Sequence, residues 1–227
     1  MIITIDGPAG AGKSTIAKLL AQRLTEKLSK IFEYLDTGSM YRAVTLLGIR
    51  SNVDWQMPEQ LERAAESAVI NVVGGRTLLC GDDITELVRT PAITEKSRFA
   101  ANNPVIRQMM VEQQRRIAQI VLEENKGLVT EGRDQGTVVF PDAECKFFLT
   151  ATLEERTRRR LGEMQQRGIV GEFDEIYRQI TERDNRDATR SVGPLCEPPD
   201  AHRIVSDGMT IDEVVEKMTF YITEHAA

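Results

Sequence analysis

Gly7-Pro8-Ala9-Gly10-Ala11-Gly12-Lys13-Ser14 fits G-x-x-x-x-G-K-[ST], the pattern of a phosphate-binding loop. The apolar run Ile2-Ile3-Thr4-Ile5 precedes it and predicts a short buried strand. Beyond it Ile16, Leu20, Leu24 and Leu28 recur at the spacing of one helix face. A strand, a glycine-rich loop and a helix in that order form a P-loop unit. Gly7, Gly10 and Gly12 leave the loop N–H groups free to curl around phosphate oxygens. The helix N-terminus presents further N–H groups and a positive dipole end to the same anion. Lys13 is expected along the β- and γ-phosphates, and the Ser14 hydroxyl on Mg²⁺. The chain is therefore expected to bind a nucleoside triphosphate.

Bulk properties narrow the class. A chain of 227 residues accommodates one large α/β core with insertions, and 41% hydrophobic with 28% charged residues suits a globular protein. No apolar run approaches the roughly 18 residues of a membrane helix. With a first strand expected from Ile2, no signal peptide is expected. Cys80, Cys145 and Cys196 lack metal-ligand spacing and are expected as free thiols in a reducing cytoplasm. The net charge of −6, from 35 acidic and 29 basic residues, opposes nonspecific nucleic-acid binding. Only His202 and His225 are present, so histidine acid–base chemistry is not expected.

Ile31 to Leu35 reads as a second strand, and Asp36-Thr37-Gly38-Ser39 as a turn into a helix from about Met40 to Ile49. Arg42, just past that turn, can point at an anion, and Asp36 can fix Tyr41 or Arg42. Pro58 to Ala68 reads as a helix. Val69–Val73 and Arg76–Cys80 flank Gly74-Gly75 as a hairpin, with a third short strand after it. This antiparallel patch interrupts alternating strands and helices and reads as an inserted subdomain. Thr90-Pro91 and Asn103-Pro104 each open a helix. Gly127 to Thr130 is a third core strand, and Glu131 at its end stands where a carboxylate helps to hold Mg²⁺. Lys146 to Leu149 and Arg203 to Val205 are further strands. Thr152-x-x-Glu155 and Thr210-x-x-Glu213 are capping boxes. Arg156, Arg158, Arg159, Arg160 and Arg167 lie on one side of Gly168–Gly171, and Arg183, Arg186 and Arg190 on the other. Beside a P-loop, that distribution reads as a helical flap that closes over transferring phosphate.

These segments resemble the bacterial cytidylate kinases, within the nucleoside monophosphate kinases. The resemblance rests on Gly7–Thr15, Asp36–Arg42, Gly132-Arg133-Asp134-Gln135-Gly136-Thr137-Val138-Val139-Phe140-Pro141-Asp142, and Glu182-Arg183-Asp184 with Asp187 and Arg190. It implies an α/β fold: a P-loop NTPase-type five-stranded parallel sheet with helices on both faces. An inserted small antiparallel β subdomain for the monophosphate and a helical lid complete it. Residues 1–36 and 126–227 would form the core, 37–125 the monophosphate-binding domain, and 156–190 the lid. Gly7, Pro8, Ala9, Gly10, Ala11, Gly12, Lys13, Ser14 and Thr15, with lid arginines such as Arg156 and Arg159, would bind ATP. Thr37, Arg42, Arg133 and Arg190 would hold the acceptor phosphate, and Gly38 and Tyr41 would also contact CMP. Arg183 and Asp187 would meet the ribose, and Ser97, Arg107 and Asp134 the cytosine. Lys13, Arg133, Arg183 and Arg190 would carry catalysis. Gln135 stands where relatives often have methionine, and Glu131 where they often have aspartate.

The resemblance implies phosphoryl transfer from ATP, with Mg²⁺, to CMP and dCMP by a cytoplasmic monomer that binds neither nucleic acid nor membrane. A UMP or dTMP kinase would share the phosphate machinery and differ in base preference. A GTPase-like switch should show N-K-x-D, but Asn125-Lys126 continues as Gly127-Leu128. A P-loop DNA-binding ATPase is opposed by the acidic balance.

Overall fold

A computed structural model describes residues 1–166 and 168–225, so Arg167 lies outside the described residues. In chain order the first elements are β1 (Ile2–Asp6), α1 (Lys13–Leu28), β2 (Phe32–Asp36), α2 (Thr37–Arg50) and α3 (Pro58–Ala65). Next come β3 (Ile70–Val73), β4 (Arg76–Leu79), β5 (Asp82–Asp83), α4 (Pro91–Asn102) and α5 (Pro104–Glu123). The chain continues with β6 (Gly127–Gly132), β7 (Cys145–Thr150), α6 (Leu153–Gln166), α7 (Phe173–Thr189), β8 (His202–Val205) and α8 (Ile211–His225).

Five parallel strands form the central sheet in the order β2-β6-β1-β7-β8. Strand alternation divides its apolar residues between two faces. Leu35 and Leu128 pack with Met40 and Val44 of α2 and Ile106 and Met110 of α5. Ile3, Ile5, Val129 and Phe147 pack on the other side with Ile16, Leu20 and Leu24 of α1 and Val214, Met218 and Ile222 of α8. Removing a fully buried side chain such as Leu24 should cost about 2–5 kcal/mol. Among the described residues no helix is long and apolar enough to cross a membrane.

The expected hairpin is present: β3, β4 and β5 form a separate antiparallel sheet that turns at Gly74-Gly75, both left-handed. Other boundaries moved. Helix α2 starts at Thr37, directly after β2, because the Asp36 carboxylate caps it by accepting from Ser39 N at 2.9 Å. The stretch expected as a turn is thus the first turn of the helix. Helix α3 stops at Ala65, and β6 runs on to Gly132. A short π-helix, Gln135–Val139, follows β6 and had no periodicity to reveal it. The Thr210–Glu213 capping box is complete, with the Thr210 amide donating to Glu213 at 2.7 Å and the Glu213 amide to Thr210 at 3.3 Å. The Thr152–Glu155 box is half made, since Asp207 takes the Thr152 amide at 3.0 Å and Glu155 accepts from Arg159.

Candidate active site

The phosphate loop leaves the C-terminal end of β1 between β6 and β7. Gly7 is pressed so close to β7 that a Cβ there would come within 2.0 Å of the Leu149 carbonyl oxygen. Lys13 is buried at the start of α1 and donates to the Pro8 carbonyl at 2.8 Å. Burial first, and then the Arg133 and Arg183 charges, bring its pKa down to about 7, against the pull of Glu131. The Ser14 hydroxyl donates to Glu131 Oε1 at 2.6 Å. Burial and the neighbouring Asp36 raise the Glu131 pKa. Thr37 donates to the Glu131 carbonyl at 2.7 Å, which ties the start of α2 to the end of β6.

Helices α6 and α7 also reach this loop. Asp184 of α7 accepts from the Ala9 amide at 2.9 Å and forms an ion pair with Arg156 of α6. Arg156 is buried and donates to the Ala9 carbonyl at 2.9 Å, so it braces the loop backbone. Arg159 faces elsewhere: it binds Glu155 at 3.0 Å and the Ser206 carbonyl at 2.6 Å. Among the described residues, Arg158 and Arg160 hold only neighbouring glutamates on the exposed side of α6.

A second cluster faces the loop. Arg42 pairs with Asp36 at 3.0 Å, and its buried Nε has no hydrogen-bond partner among the described residues. Gly38, one turn earlier in α2, lies beneath the Arg42 guanidinium. Arg133 donates to Asp187 at 2.8 Å. Burial opposes the charge of both, but each raises the other's ionised population, so the Arg133 pKa is raised and the Asp187 pKa lowered. Arg183 is exposed to the cleft and makes no ion pair among the described residues. Crowding by protein, then the Arg133 charge, draws its pKa down to about 10, an effect its open edge moderates. Arg190 lies 3.8 Å from Asp187 and 3.9 Å from Asp134, and its buried Nη2 has no hydrogen-bond partner among the described residues. Positive charge with unfilled donors is chemistry suited to a phosphate dianion.

Beside these arginines sits a buried ion pair between Arg107 of α5 and Asp134. Arg107 also donates to the Ala101 carbonyl at 3.1 Å and lies 5.3 Å from the Tyr41 ring centre. Gly193, which closes over the pair, could not carry a Cβ, because one would stand 2.2 Å from Asp134 Oδ2. Ser97 is not joined to this pair by any hydrogen bond. Its hydroxyl donates to the Thr94 carbonyl at 2.7 Å, within α4.

Sequence reading assigned no role to three contributors. Asp6 and Asp184 hold backbone of the two phosphate-facing turns, and Gly193 fits against the Arg107–Asp134 pair. Two of them left a signal: Asp6 as a carboxylate closing an apolar strand directly before Gly7, and Asp184 within the Glu182-Arg183-Asp184 run.

A P-loop on a parallel sheet, faced by an arginine cluster and a buried arginine–aspartate pair, defines a nucleotide kinase of the P-loop class. The chain belongs to the cytidylate kinase family, whose model, described as "Cytidylate kinase", matches residues 3–224. It is 44% identical to the cytidylate kinase of Caldanaerobacter subterraneus subsp. tengcongensis over 95% of this chain and 92% of that one. It is 46% identical to the cytidylate kinase of Rhodopirellula baltica over 99% and 93% of the two chains. Among solved structures, a shikimate kinase from Bacteroides thetaiotaomicron aligns with 98% of each chain at 16% identity, with a TM-score of 0.47. The chain is a nucleoside monophosphate kinase, and that family uses ATP as phosphoryl donor.

Proposed function

We propose that the cleft transfers the γ-phosphoryl group of ATP to CMP and dCMP, giving ADP with CDP or dCDP. The observation that supports this most is the buried Arg107–Asp134 pair beside the unfilled arginine donors. Cytosine offers an amino donor at N4 and acceptors at N3 and O2, and a carboxylate beside a donor-only guanidinium is complementary to that edge. In this reading the acceptor phosphate lies among Thr37, Arg42, Arg133 and Arg190, and the ribose near Arg183 and Asp187.

An acceptor phosphate has its second pKa near ~6 and is largely dianionic at pH 7, so it needs no strong base. One of its oxygens attacks the γ-phosphorus as the bond to the β–γ bridging oxygen breaks, and that oxygen leaves on ADP. Lys13, Arg133, Arg183 and Arg190 serve by aligning the two phosphates and offsetting charge on the transferred group. Mg²⁺ in nucleotide sites keeps several waters and phosphate oxygens and takes few protein ligands. The Ser14 hydroxyl beside the buried Glu131 carboxylate, 2.6 Å apart, fits such a partial oxygen donor set. When bound there, Mg²⁺ would neutralise charge on the β- and γ-phosphates. The division into core (1–36 and 126–227), monophosphate-binding domain (37–125) and lid (156–190), a monomeric state and a cytoplasmic location complete the reading.

The test is ADP release with CMP, dCMP, UMP, AMP, GMP and dTMP as acceptors. CMP and dCMP should exceed the rest in kcat/KM. Preference for UMP or dTMP would replace the cytidylate reading.

A further inference from the structure

We propose that Asp6 is a positioning residue that clamps the turn bearing Arg133 and Asp134 to the root of the phosphate loop, and so sets acceptor alignment and base choice. The inference rests on the reading of the cleft as a CMP kinase site. Asp6 ends β1, directly before Gly7, and is fully buried. Its two carboxylate oxygens are both spent on backbone: Oδ1 accepts from Gln135 N at 2.9 Å and Oδ2 from Gly136 N at 2.7 Å. On the other side of the turn, Gly132 ends β6 in register with Asp6. Arg133 and Asp134 are thus the two residues strung between a strand end and the clamp.

The clamp is reinforced from behind. The Gln135 side chain accepts from Thr130 at 2.8 Å and donates to Gln114 at 3.1 Å, so this residue is held by backbone and side chain alike. A carboxylate buried this deeply is costly, which argues for a role that a neutral side chain would not fill. Burial chiefly raises the Asp6 pKa, to about 6; the two amides and Lys13 lower it, and Asp134 raises it. One group therefore connects the donor loop, which begins one residue later, with the arginine and aspartate proposed to hold the acceptor. In-line transfer depends on those two halves keeping their spacing, since a displacement of about 1 Å can cost about 10²-fold in rate.

Asp6→Asn keeps the shape but turns an NH₂ toward one of the two amides, so a donor faces a donor and the turn must tilt. In the folded variant, kcat with CMP should fall by about 10²-fold. The CMP-to-UMP ratio of kcat/KM should fall by about fivefold or more, while KM for ATP changes by less than about threefold. A group that served folding alone would lower Tm and leave that ratio unmoved. Folded Asp6→Asn with kcat and the ratio both within about twofold of the unaltered protein would overturn the proposal. Amide hydrogen exchange in the unaltered protein gives a second test that needs no variant. The Gln135 and Gly136 amides should be among the slowest to exchange in residues 133–140, and exchange at the rate of solvent-exposed amides would overturn the clamp. Lack of CMP phosphorylation by the unaltered protein would instead remove the functional reading and the base-selection role with it, while the exchange result still reports on the clamp.

Discussion

The phosphate loop and the Arg107–Asp134 pocket are built from opposite materials. The loop is a contiguous run whose binding groups are backbone amides, shaped by glycines and the helix that follows. The pocket joins Arg107 from α5, Asp134 after β6, Arg190 after α7 and Tyr41 on α2, and it works through side chains. A backbone site depends on local conformation, so it changes little unless a glycine or the lysine is altered. A side-chain site depends on placements fixed by the whole fold, so under the proposed function each member would carry a distinct share of selectivity.

The largest effect should come from the one side chain on which the loop depends. Lys13→Ala removes a buried cation proposed to lie on the β- and γ-phosphates. Loss of one such preorganised contact costs about 3–4 kcal/mol, or 10²–10³-fold in kcat. The effect should be alike for CMP and UMP, because the loop touches neither base. Steady-state kinetics with both acceptors checks this, and a base-dependent loss would erase the distinction between the two regions.

Asp134→Asn should show the opposite profile. Uracil presents an acceptor O4 and a donor N3–H where cytosine presents the reverse, and an Asn amide can meet O4. Each buried mismatch is worth about 1–3 kcal/mol, so the CMP-to-UMP ratio should fall by about 10- to 100-fold, mainly through lost CMP activity. Tm should fall as well, since Arg107 keeps its charge in a buried place with a neutral partner. An unchanged ratio would show that Asp134 serves the pocket's structure and does not read the base.

A smaller effect concerns protons at the loop. Burial and the Arg133 and Arg183 charges lower the Lys13 pKa to about 7, so the free protein holds this amine less firmly protonated than an exposed lysine. A bound polyanion favours the charged form, so ATP binding should take up a proton. The sign follows from linkage: affinity for ATP should rise as pH falls from 9 toward 7 and level off below. Calorimetry in buffers of different ionisation enthalpy should find net proton uptake on ATP binding at pH 7, absent in Lys13→Ala. Equal uptake in that variant would assign the proton to the nucleotide.

The same contrast explains what could be read without coordinates. The P-loop, the parallel core and the hairpin were legible because local spacing encodes each of them: Gly7–Ser14, the apolar strands, Gly74-Gly75. The start of α2 was misjudged because Asp36 caps directly from a strand end, and a cap signal and a turn signal use the same residue types. The π-helix after Asp134 and the seat of Gly193 carry no periodic mark. Arg156 and Arg159 sit three residues apart in one arginine run, yet one braces Ala9 and the other binds Ser206. Which way each points is decided by α7 and the end of β8, beyond the reach of local pattern.

Ser97 offers the finest division between the two kinds of site. Its hydroxyl proton is committed to the Thr94 carbonyl at 2.7 Å, so the oxygen is left with lone pairs and can only accept. An acceptor suits the N4 amino group of cytosine and repels the O4 of uracil, which is the same preference proposed for Asp134. Ser97 is only half-buried, however, so water competes for that lone pair and the net value is that of an ordinary neutral hydrogen bond. Ser97→Ala should therefore lower the CMP-to-UMP ratio of kcat/KM by about two- to tenfold, through CMP alone. Stability should change by less than about 0.5 kcal/mol, since alanine favours helix and the lost bond is local to α4. Combined with Asp134→Asn, the loss should fall short of the product of the two, because both groups would meet the same amino group. An unaltered ratio in Ser97→Ala would mean that α4 stands clear of the base and that the hydroxyl serves only its own helix.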